Sequence, residues 1–175
     1  MRIGLLLATA FLVLPVLGCG ENIPSVPDAV VSGHRDRLLL TAEPEDLVTV
    51  LDIRESLKEP REVALVGTIG GMKNPWTNGK AQFVLADPTA PPPGEAEHEC
   101  TNPGCKFCAA KKKKDDPIYA VAVVEFVDAA GKILPIDARR LFDLKADQTV
   151  VVRGQARVNE VGCMVVQADG IYVRR

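Results

Sequence analysis

Apolar and polar positions divide the chain into an apolar leader, an aperiodic stretch and a long region of alternation. Ile3 to Leu17 form a nearly continuous apolar run behind Arg2 and ahead of Gly18-Cys19. A positive start, a short apolar middle and small residues before a processing point are the pattern of a secretory signal, here residues 1–18. The run is shorter than the roughly 20 residues of a spanning helix, and Pro15 and Gly18 interrupt its end. A membrane anchor and plain secretion are the alternatives. Residues 20–33 contain Pro24 and Pro27 and follow neither a strand nor a helix period. Residues 19–41 therefore read as a flexible tether, and 42–175 as the folded domain.

Within that domain, Glu43-Pro44-Glu45-Asp46 precedes LVTVLDIRESL, whose Leu47, Val48, Leu51 and Leu57 share roughly one face. An acidic, proline-containing start predicts a helix there. Strand patterns follow at 62–71, ending in Gly70-Gly71, and at 81–87, with Asn78-Gly79 as a hairpin cue between them. Further strands are predicted at 118–127, 149–158, 163–168 and 171–173, and ARRLFDL at 138–144 predicts a short helix. Residues 88–117, with Pro91-Pro92-Pro93, break every period and read as a long loop inserted into the sheet.

Strands with internal glycines suit a sheet that must bend to close. EVALVGTIGG, KAQFVLADP, AVAVVEF, LFDLKADQTVVVRGQARV and VVQADGIYV together resemble the OB-fold, a five-stranded Greek-key barrel. A helix before the first strand is similar to the small periplasmic bacterial OB-fold family. The resemblance covers about residues 43–174. It implies a mainly β fold with a helix before strand 1, a short helix before strand 4 and the Cys/His-containing insertion. It implies little about activity, because this fold hosts many functions.

Val16-Leu17-Gly18-Cys19 resembles the lipobox of bacterial lipoproteins, with Val where Leu is usual. The resemblance implies that Cys19 is lipidated, becomes the mature N-terminus and ties the protein to a membrane. Gly20, with no aspartate after Cys19, resembles lipoproteins sent to the outer membrane. The expected location is the cell envelope, facing the periplasm.

The densest group of reactive side chains is His98, Cys100, Cys105 and Cys108, four donors within eleven residues. Three thiolates and an imidazole form a structural zinc set, and Pro103-Gly104 supplies a reversal between Cys100 and the later pair. Lys111, Lys112, Lys113 and Lys114 would favour thiolate forms. Outside the cytoplasm the alternative is disulfide bonding, with Cys163 completing an even set whose pairing the sequence leaves open; free thiols are the third option. Cu(I) is the alternative ion, and a [2Fe–2S] cluster with Cys163 as fourth ligand ranks below both. Cys163 otherwise reads as a small core residue of a strand, and His34 as solvated.

Trp76 reads either as a ligand-contacting aromatic on a loop or as a lid over the barrel end. Trp76 and the lysines at 111–114 are the candidate surface-binding residues, and a short lysine run beside Asp115 and Asp116 also reads as a solvated loop. The formal net charge of −2 and the 5% aromatic content give no electrostatic or stacking basis for binding nucleic acid. Catalytic motifs such as GxSxG, Walker A or GxGxxG do not occur, and a four-ligand metal site leaves no open position for water. The sequence thus points to a non-enzymatic, lipid-anchored module whose metal-ordered loop presents a surface to an envelope protein or small ligand. A periplasmic copper- or zinc-handling protein is the alternative, and an OB-fold nucleic-acid binder ranks lower.

Overall fold

Buried and half-exposed positions alternate between Val63 and Ile69, the period of a strand. In the computed structural model, which describes residues 26–90 and 119–175, Arg61–Ile69 is a strand, β2. A two-residue strand precedes it, β1 (Leu47–Val48). It is followed by β3 (Gln82–Ala86), β4 (Val121–Phe126), β5 (Thr149–Val158) and β6 (Met164–Val173). Three short helices join them: α1 (Asp28–Leu38), α2 (Val50–Arg54) and α3 (Ala138–Phe142).

The strands pair in the order β2-β3-β4-β6-β5, and β5 pairs back onto β2, closing a five-stranded barrel. All of these contacts are antiparallel except β4 with β6, which run parallel. β1 adds in parallel beside β2, Leu47 opposite Ala64. Closure removes the free edges on which strands aggregate. Inside lie Leu65, Ile69, Phe83, Leu85, Val124, Phe126, Val152 and Val166, none with any solvent exposure.

Both barrel mouths are plugged. At one end α3 inserts Leu141 and Phe142, and the Phe142 ring lies 4.7 Å from Phe126. At the other, α2 contributes Val50 and Ile53 to the core, and its Arg54 bonds to Val121 O at the start of β4. The helix expected from residue 43 starts only at Val50. Thr49 is its N-cap, with a reciprocal capping box to Asp52. β-Branched Val48 and Thr49 remain extended, and Leu47–Val48 joins the sheet instead.

The expectation of a tether over 19–41 is corrected for its described part, because Asp28–Leu38 is helical and docked. Its apolar content is small, and tertiary bonds hold it. Arg35 Nε donates to Leu141 O at 2.6 Å and its Nη2 to Arg140 O at 2.7 Å, covering carbonyls at the C-terminus of α3. In return Arg140 donates to Val26 O and Asp28. Leu40 N–H then donates to Ile171 O, tying the end of α1 to β6.

The two last predicted strands are one. Residues 164–173 run continuously, with a bulge where the register to β5 shifts between Arg153 and Gly154. Asp169, the unpaired residue, reaches Arg153 at 2.7 Å.

Candidate functional site

The inserted segment leaves the barrel after β3 and returns before β4, so the described part of the site is its base. Here Ala86 pairs with Val121, and the next step outward is a bond from Asp87 N–H to Ala120 O at 2.8 Å. Both ends of the insertion are therefore held on neighbouring strands.

Asp87 is the sole buried charged side chain among the described residues, 3% exposed. Its Oδ2 accepts from Leu51 N–H at 2.8 Å, an otherwise orphaned donor in the first turn of α2. Its Oδ1 accepts from the Thr89 amide and hydroxyl, at 2.8 and 2.6 Å, forming a tight turn at the mouth of the insertion. Burial pushes the Asp87 carboxyl upward, but bonds from Thr89, Leu51 and Thr49 outweigh it and hold the group below its ordinary value. One carboxylate thus fastens the α2 plug to the point where the insertion begins.

The returning side is held by Arg54 of α2. It donates to Val121 O and Gly162 O, and its guanidinium lies 4.7 Å from the Tyr119 ring centre. The Tyr119 hydroxyl bonds to Glu55, and burial together with that carboxylate raises its pKa.

His98, Cys100, Cys105, Cys108 and Lys111 to Lys114 lie outside the described residues, as does Cys19. Among the described residues no cluster of three or more His, Cys, Asp or Glu side chains could hold a metal. Cys163 corrects the expectation of a core strand position. It is half-buried, has no disulfide partner among the described residues and sits in the β5–β6 hairpin ahead of β6, where its N–H donates to Asn159 Oδ1 at 2.8 Å. Register places it beside Val121, since Ala122 pairs with Met164. His34 is half-buried on α1 and hydrogen-bonded to Arg37.

Trp76 lies at the opposite end of the barrel, where the geometry is that of a lid. It forms a β-bridge with Phe83, and the two rings are 6.0 Å apart. Arg139 covers its other side at 5.6 Å. Asp137, the N-cap of α3, fixes that arginine at 2.6 Å and accepts from Gly79 N–H. The hydrogen bond from Arg139 is the main cause holding the Asp137 carboxyl below its usual range. This cluster fastens the β2–β3 loop to α3.

In the sequence, Asp87 marks only the end of the strand at 81–87, and its anchoring role emerges from the structure. The signal was Asp-Pro-Thr, since an aspartate two residues before a hydroxyl can close a turn on its own side chain. No protein-family model and no curated protein matches the chain. No helix among the described residues is long and apolar enough to cross a membrane.

Proposed function

We propose that the protein is a non-enzymatic, lipid-anchored module of the cell envelope, built on an OB-fold, whose inserted segment binds zinc and presents a binding surface. The fold assignment is supported by the closed strand order, by the parallel pairing of β4 with β6, and by α3 between β4 and β5. Plugged mouths fill the interior with side chains, so ligand or partner recognition falls to surface and loops.

The observation that carries the reading is the position of His98, Cys100, Cys105 and Cys108 between Asp87 and Ala120, whose backbones bond across the base. Three thiolates and one imidazole satisfy a tetrahedral zinc ion completely, a role in structure or recognition. Cys19 would carry the lipid, and an envelope protein or small ligand would meet the ordered segment.

Metal analysis of untagged protein tests this. The expected result is one zinc per chain, released when the three clustered cysteines are changed to serine. A metal-free protein with those thiols in disulfides would reject the zinc centre.

A further inference from the structure

The two ends of the barrel differ in what they carry. Val26, Asp28, α1 and α3 all lie at the end where β4 and β6 finish. The opposite end holds α2, Asp87, Ala120 and the β5–β6 hairpin, whose tip residue Val161 is 80% exposed. The chain is fixed at Val26 by the bond from Arg140 to its carbonyl at 2.7 Å.

Only seven Cα–Cα steps separate Cys19 from Val26, a maximal reach of about 25 Å. A flexible chain of that length has a typical span of only about 15 Å. The strands β5 and β6 have ten residues each, which at the usual tilt makes the barrel about 25 Å tall. Inverting the barrel on a membrane would lift Val26 by that height and demand a fully extended tether. Upright, the seven steps from Cys19 to Val26 suffice without full extension.

Resting on the lipid-anchored reading of Cys19, we infer that the α1/α3 end of the barrel faces the bilayer and the end bearing the insertion faces away from it. The occupant of the α1/α3 face is thus a lipid surface. Charge there is mixed: Arg139 is paired with Asp137 and Arg140 with Asp28, and the segment leading into β5 carries Asp143, Lys145 and Asp147. The short reach of the anchor sets the orientation, with electrostatic attraction contributing little. The segment carrying His98, Cys100, Cys105 and Cys108 then leaves the barrel on the side open to partners.

The test uses the full, lipidated chain in phosphatidylcholine vesicles containing an energy-transfer acceptor on the lipid headgroups. A fluorescent amino acid replaces either Lys145, in the loop before β5, or Val161, at the hairpin tip. Donor quenching should be at least about twofold greater at position 145, given the height of the barrel. It should not change when anionic lipid is added. Inserting about 20 Gly/Ser residues after Gly20 should abolish the difference, because the reach then exceeds the barrel. Equal or reversed quenching in the unextended protein overturns the orientation, and a bias that survives the long linker overturns the short reach of the anchor as its cause. Failure of the chain to float with vesicles instead removes the lipid anchor itself, and the orientation with it.

Discussion

Asp87 shows how much one buried carboxylate can hold. It receives the Leu51 amide of α2 and both donors of Thr89 within 2.8 Å, so its removal orphans groups on two elements at once. Leaving buried donors unpaired costs about 1–3 kcal/mol each. Asp87→Ala should therefore lower unfolding free energy by about 3 kcal/mol in urea titration, and Asp87→Asn, which keeps one acceptor, by less. The pH dependence has a definite sign. Because the folded-state pKa lies below the ordinary 3.8, the carboxylate contributes its full stability above that value and loses it as pH falls through the folded-state pKa. Wild-type stability should fall below pH 3.8 more steeply than that of Asp87→Asn. Parallel curves for the two proteins would remove Asp87 from the acid response.

At the scale of elements, the β5–β6 ladder depends on Gly154. A Cβ there would lie 2.2 Å from Gln167 O and 2.7 Å from Ala168 Cα, both backbone atoms that cannot move aside alone. The bulge opposite Asp169 exists because the chains approach this closely. Gly154→Ala should cost about 3 kcal/mol in equilibrium unfolding, and a near-neutral result would mean the bulge can relax. The same bulge explains why the sequence broke β6 at Asp169-Gly170. β2 and β5 are readable because each carries a short apolar, valine-rich run bounded by turn residues, and those runs are largely buried. α1 was not, because prolines and sparse apolar residues describe a tether while its anchor, Arg35 on the carbonyls of α3, is a contact made only in the folded protein. α2 was misplaced for a local reason: Thr49 offers a cap that outcompetes the acidic start at residue 43. Among the described residues, Phe83, Phe126 and Phe142 are buried and half-buried Trp76 continues their chain of ring contacts. The Cys/His spacing was legible as chemistry, whereas the closeness of Cys163 to the insertion's base came only from the register of β4 and β6.

For the molecule as a whole, the proposed function separates a folded scaffold from a recognition segment. The barrel closes on itself, each mouth has its own helical plug, and the described residues flanking the insertion meet at a base where Ala86 already pairs with Val121. Adjacent strands stand about 4.8 Å apart, a gap that a short glycine-containing turn can span. Replacing residues 91–118 with such a turn should therefore leave a barrel with cooperative thermal unfolding. Its midpoint should stay within about 4 °C of the parent, the shift produced by about 1 kcal/mol in a domain of this size. If the insertion holds zinc as proposed, chelation should move that midpoint no further, while exposing the three clustered cysteines to thiol reagents. Collapse of the barrel on excision or chelation would mean that the insertion is part of the core, and the division between a self-sufficient scaffold and a metal-ordered recognition segment would fail.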